Sequence, residues 1–140
     1  MAASHDRHIL IYLRGDDNAN DRYFLERAFR KACPQVTVDF ARNGEEVIDF
    51  LEDDSRPAPS LLIIDSMMTK MNGFDVLTWL RTKERFEQLP VVMLTGQLSD
   101  DNATRARNFG VKAYLAKPED IMALETLVND LGRKYLKPAT

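Results

Sequence analysis

Only one cysteine occurs in the sequence, Cys33, so no disulfide can form within the chain. It lies between Ala32 and Pro34 near an expected helix end, where a lone thiol without a nearby histidine reads as a small buried hydrophobe rather than a nucleophile. No His–Cys cluster is present, which leaves nothing with the ligand pattern of a zinc or iron site. No apolar run approaches the ~20 residues that a membrane-spanning helix needs. No basic stripe is visible either, and the formal net charge is -3, which argues against nucleic acid as a main partner. Positive and negative residues are interspersed rather than blocked, as on a solvated mixed-charge surface. Met1 to His8 is short and polar and lacks the apolar core of a signal peptide, so the cytoplasm is the expected location. Internal repeats, low-complexity segments and long linkers are also absent.

What is present fits one domain. A chain of 140 residues can bury ~68% of the surface its unfolded form exposes and needs no covalent or metal staple. Short apolar stretches at Ile9–Leu13, Val36–Phe40, Leu61–Ile64, Val91–Leu94 and Lys112–Leu115 read as strands. The third and fourth are nearly continuous apolar runs, as parallel strands covered on both faces require. The second alternates Val36, Val38 and Phe40, which suits an edge. Between the strands run helical stripes: Leu25, Ala28, Phe29 and Ala32, capped by Asn20 or Asp21; Val47, Ile48 and Leu51; Phe74, Leu77 and Leu80, with Trp79 off the line; Ala103, Ala106 and Phe109, after Ser99 and Asp100; and Ile121, Leu124, Leu127, Val128 and Leu131. Strands alternating with helices imply an α/β fold with a parallel sheet and right-handed crossovers. Ligands of such a sheet bind outside the carboxyl ends of its strands.

The polar residues of interest stand at those ends. Asp16 and Asp17 follow the first strand at a short interval, Asp65 follows the third directly, Thr95 follows the fourth, and Lys117 follows the fifth just before Pro118. Each taken alone reads as a turn, a cap or a solvated charge. Together they converge on one rim. Three carboxylates held close repel one another unless a cation offsets the charge, and Mg²⁺ is a hard ion that takes carboxylate, phosphate and water oxygens. A carboxylate can attack phosphorus and form an acyl phosphate. A metal, a lysine and a hydroxyl can then hold the phosphoryl oxygens.

From Ile9 to Tyr135 the sequence resembles the response-regulator receiver family of two-component signalling. The resemblance rests on the acidic pair Asp16-Asp17, on Leu61-Leu62-Ile63-Ile64-Asp65, on Met71-Asn72-Gly73 at the family spacing, on Pro90-Val91-Val92-Met93-Leu94-Thr95, and on Gly110-Val111-Lys112-Ala113-Tyr114-Leu115-Ala116-Lys117-Pro118. It implies a flavodoxin-like, doubly wound, five-stranded parallel sheet of order 2-1-3-4-5 with five helices. It implies Asp65 as phosphoacceptor; Asp16, Asp17, Asp65 and the Met67 backbone carbonyl as Mg²⁺ ligands; Lys117 on a phosphoryl oxygen; and Thr95 and Tyr114 as a switch pair. The resemblance further implies that Thr95 moves to the phosphoryl group and that Tyr114 follows by turning inward. The implied donor is a sensor histidine kinase or a histidine phosphotransfer protein, with small acyl phosphates as substitutes. The implied output is contact with a separate downstream protein, and a homodimer is left open. Only Lys137-Pro138-Ala139-Thr140 follow the last helix, so a single receiver domain over residues 1–140 without an output domain is expected. Asp53 to Pro59 and Lys83 to Gln88 also resemble single-domain receivers paired with phytochrome-like kinases.

Arg14 and Gly15 stand where the family continues an apolar strand, Thr69 where it usually has proline, and Met67 where a side chain faces the phosphoryl group. Met67 also weighs against an aspartate-nucleophile phosphatase, which carries a second Asp two residues after the first. The acidic first loop weighs against a flavodoxin, whose phosphate loop is rich in Ser, Thr and Gly. A receiver-like interaction module that is never phosphorylated is the remaining alternative.

Overall fold

The computed structural model describes residues 7–12, 19–56, 58–65 and 73–136. In chain order the elements are β1 (Arg7–Tyr12), α1 (Ala19–Ala32), β2 (Val36–Ala41), α2 (Gly44–Glu52), β3 (Leu61–Asp65), α3 (Gly73–Leu80), a 3₁₀ turn (Glu84–Phe86), β4 (Val91–Thr95), α4 (Asp100–Asn108), β5 (Ala113–Ala116) and α5 (Ile121–Tyr135). The strands form one parallel sheet in the order β2-β1-β3-β4-β5, as expected. Strand ends differ from the sequence expectation by a residue or two, the usual range for fraying ends.

Burial follows from the period of two along each strand. Ile9, Ile11, Leu61, Ile63, Val92 and Leu94 face Leu25, Phe29, Val128 and Leu131, so α1 and α5 cover one side. Leu10, Leu62, Ile64 and Met93 face Val47, Leu51, Phe74, Leu77, Leu80 and Ala106, so α2, α3 and α4 cover the other. β3 and β4 are buried on both faces, and this is why they read as unbroken apolar runs. β2 and β5 are the edges, and β5 is only half covered.

Local chemistry ends and starts the helices. Asn43 caps α2 by accepting from the Glu46 N–H at 2.8 Å, while the Glu46 carboxylate reaches back to the Arg42 N–H, also at 2.8 Å. The Arg42 guanidinium beside it holds the Glu46 carboxyl below the ordinary carboxylate range. Ser99 caps α4 and Asp120 caps α5. After α4 the Gly110 N–H donates to the Arg107 carbonyl and the Val111 N–H to the Ala106 carbonyl. That closure needs a left-handed residue, and Gly110 supplies it at φ 82°.

Four expectations need correction. Asn20 and Asp21 lie inside α1, which already begins at Ala19, and so cannot cap it. Ile121 was placed in the core stripe of α5 but is 53% exposed, because the first turn of that helix overhangs an open cleft instead of the sheet. In α4 only Ala106 is buried, so Ala103 does not complete a core stripe. The polar N-terminal stretch ends earlier than expected: Arg7 and His8 belong to β1. His8 is buried, with Nε2 2.6 Å from an Asp39 carboxylate oxygen on β2 and its ring against Phe50.

Candidate functional site

The parallel register brings the expected residues to one rim. Asp65 ends β3 and is level with Leu94, one residue before the end of β4. Thr95 ends β4 opposite Ala116, the last residue of β5. The Lys117 backbone N–H donates to the Thr95 carbonyl at 2.8 Å and continues the β4–β5 pairing one step further. Tyr12 ends β1 level with Ile64, one residue before Asp65, and α1 begins at Ala19. Asp16, Asp17 and Met67 fall outside the described residues.

Alternation sends the two described side chains to opposite faces. Thr95 follows Met93 on the α2–α3–α4 face and is 1% exposed. Its hydroxyl donates to the Gln97 carbonyl at 3.0 Å and accepts from the Gln97 N–H at 3.2 Å, which closes a tight hydroxyl-backbone turn. Lys117 follows Leu115 toward the α1–α5 face, where it lines a cleft of about 280 Å³ with Phe24, Leu25, Leu94, Pro118 and Leu124. The rim therefore has a hydroxyl on one side of Asp65's strand end and an ammonium on the other.

Tyr114 lies opposite Met93, its ring packed on the second core cluster. Its hydroxyl is buried and has no hydrogen-bond partner among the described residues. The residue is partly buried, with its ring against this cluster in the structure.

Gln97 was missed in the sequence, although a hydroxyl residue two positions before a free backbone N–H at a strand end is the local signal for such a turn. The two stretches that prompted the phytochrome comparison do meet: Arg85 contacts the Asp54 carboxylate at 3.1 Å and the Leu51 carbonyl at 3.2 Å. Among the described residues no three His, Cys, Asp or Glu side chains gather into a metal-binding group. None of their helices is long and apolar enough to cross a membrane.

The response regulator receiver domain profile matches residues 13–129, spanning the rim and most of the sheet. The chain belongs to the response-regulator receiver family. Among its relatives is the probable methanogenesis regulatory protein FilR2 of Methanothrix harundinacea, 30% identical over 129 residues, covering 90% of this chain and 83% of that protein. Response regulator Rre1 of Synechocystis is 35% identical over 116 residues, and this receiver spans 48% of its length. The phosphorylated cyanobacterial phytochrome response regulator RcpA superposes with a TM-score of 0.82 at 22% identity, over 96% of this receiver and 97% of that chain, and shows the shared fold. Receivers of this family work with histidine kinases or phosphotransfer proteins in two-component systems.

Proposed function

We propose that this receiver accepts a phosphoryl group on Asp65 from a phosphohistidine of a sensor kinase or a histidine phosphotransfer protein, in the cytoplasm, and signals to a separate protein by a change of shape. The observation that carries this is the rim itself: Asp65 at the end of a strand buried on both faces, with Thr95 and Lys117 at the ends of the next two strands.

A carboxylate oxygen of Asp65 attacks phosphorus. The phosphorus–nitrogen bond of the donor breaks, and the electron pair leaves with the imidazole, which takes up a proton from solvent. An acyl phosphate donor loses its carboxylate instead. The Lys117 ammonium offsets charge on one phosphoryl oxygen, and the Thr95 hydroxyl donates to another. Water later attacks phosphorus and restores the carboxylate.

The donors assigned to a metal are all oxygens: the carboxylates of Asp16, Asp17 and Asp65 and the Met67 carbonyl. That set fits Mg²⁺ or another hard divalent cation and fits zinc poorly. When bound, such an ion neutralises the clustered carboxylates and the incoming phosphoryl charge.

Thr95 cannot serve the phosphoryl group from its present position. A hydroxyl has one proton to donate, and here it goes to the Gln97 carbonyl. Contact with a phosphoryl oxygen requires that bond to break, which frees the chain between β4 and the Ser99 cap of α4.

The deciding experiment incubates the protein with acetyl phosphate and Mg²⁺ and reads intact mass. One phosphoryl group is expected on the wild type and none on Asp65→Asn. Equal labelling of the Asn variant refutes Asp65 as the acceptor.

A further inference from the structure

α4 is held in an unusual way. An amphipathic helix is ordinarily fixed by an apolar stripe, yet α4 reads Asp100-Asp101-Asn102-Ala103-Thr104-Arg105-Ala106-Arg107-Asn108 and buries only Ala106. Named polar and aromatic contacts to α3 supplement that small burial. The Arg105 guanidinium lies 3.9 Å from the centre of the Phe74 ring, in the first turn of α3. Phe74 also faces Phe109, the residue that closes α4, at 6.2 Å between ring centres. Beyond the other end of α3, Arg81 donates to the Phe109 carbonyl at 2.6 Å. The arginine lies against Gly110, where an added Cβ would sit 3.6 Å from it. Both ends of α3 thus grip the C-terminal half of α4. The N-terminal half is capped by Ser99 and is joined to the rim by the short chain that carries the Thr95–Gln97 turn.

We propose that Arg105 on Phe74, backed by Arg81 on the Phe109 carbonyl, is a latch that holds α4 in its resting place, and that phosphorylation of Asp65 works against this latch. The idea rests on the phosphotransfer reading above. Arg105 touches no reacting atom; it is a positioning residue that acts through Phe74. Once the Thr95 hydroxyl leaves Gln97, the chain entering α4 is released at one end, and the latch restrains the other together with the packing of Ala106 and Phe109. A two-state element responds only as far as its two states differ in free energy, so latch strength sets how far α4 shifts.

Hydrogen exchange of the α4 amides tests this, in wild type, Arg105→Ala, Phe74→Leu and the double variant. Phe74→Leu keeps an apolar side chain and removes the ring face. Loss of a cation–π contact at an exposed site should speed α4 exchange about two- to fivefold in each single variant. The double variant should be no faster than Phe74→Leu alone, because without the ring Arg105 has nothing left to hold, while Phe74→Leu by itself also loses the ring contact with Phe109. After acetyl phosphate and Mg²⁺, α4 exchange should rise in wild type and rise less in Arg105→Ala. Wild-type exchange rates in both single variants, a double variant equal to the product of the singles, or an equal phosphorylation-driven rise with and without Arg105 would each overturn the latch. A wild type that takes up no phosphoryl mass defeats the phosphotransfer reading instead, while the rates of the unphosphorylated proteins still decide whether Arg105 holds α4.

Discussion

The Thr95 hydroxyl has two hydrogen-bonding partners in this structure, and both belong to Gln97. Removal of the hydroxyl should therefore be felt before any phosphoryl group arrives. In Thr95→Ala the Gln97 amide loses its acceptor, and a neutral hydrogen bond of ordinary strength, ~1 kcal/mol, corresponds to roughly fivefold faster exchange. Thr95→Ser should restore the wild-type rate. Both variants should still take up a phosphoryl group, because the attacking oxygen belongs to Asp65. An unchanged Gln97 exchange rate in Thr95→Ala, followed by NMR, would show that the hydroxyl does not hold this loop. Much of this was legible in the sequence. Asp65, Thr95 and Lys117 stand at strand ends, and strand ends follow from apolar runs. The bond to Gln97 was not, because a threonine at a strand end says nothing of where its hydroxyl points until the turn is closed.

Helix against helix, the seam between α1 and α5 offers a cleaner test than α4. Gly132 lies buried inside α5, and a Cβ added there would meet the Cys33 sulfur at 3.0 Å. Cys33 ends the α1 side of this contact, and burial pushes its thiol up from the ordinary value. Glycine in a helix interior costs up to ~1 kcal/mol relative to alanine, so Gly132→Ala carries a gain offset by crowding against Cys33. In a Cys33→Ala background the obstruction is gone, and Gly132→Ala should stabilise by ~1 kcal/mol in urea unfolding. In the wild-type background the gain should be smaller or reversed. Equal effects in both backgrounds would mean that the seam yields freely and Gly132 is not there for the sulfur. Sequence periodicity placed both helices and most of the buried face of α5. It misjudged Ile121, since a helical stripe states which residues share a face and not how far the neighbouring sheet extends beneath it.

At the scale of the whole molecule, two cores share one sheet, and β3 carries both. Ile63 is 1% exposed and belongs to the α1–α5 core; Leu62 and Ile64 are fully buried in the other. Truncation at Ile63 leaves a cavity that no loop can fill. Ile63→Ala should destabilise by ~2–5 kcal/mol, which for a domain near this size lowers the melting temperature by roughly ten degrees. The same variant shifts the strand that positions Asp65, so phosphoryl uptake should slow even below its melting point. A calorimetric loss under about 1 kcal/mol, the worth of one buried methylene, would show that the core closes around the gap.

The order of apolar strands and amphipathic helices was enough to specify a parallel α/β sheet. Chain order then placed Asp65, Thr95 and Lys117 at its carboxyl rim, because a right-handed crossover allows few other arrangements. Those features are local or follow from chain order, and a sequence states both directly. Tertiary structure alone decided that His8 is buried against Asp39, that the Tyr114 hydroxyl is buried, and that α4 is gripped by Arg81 and Arg105. Each depends on a contact between residues distant in the chain. Arg81 and Phe109 are 28 residues apart, and His8 and Asp39 are 31 apart. An arginine, a tyrosine or a histidine is compatible with either solvent or burial. Which it adopts is settled only when the sheet and its helices bring a partner within reach.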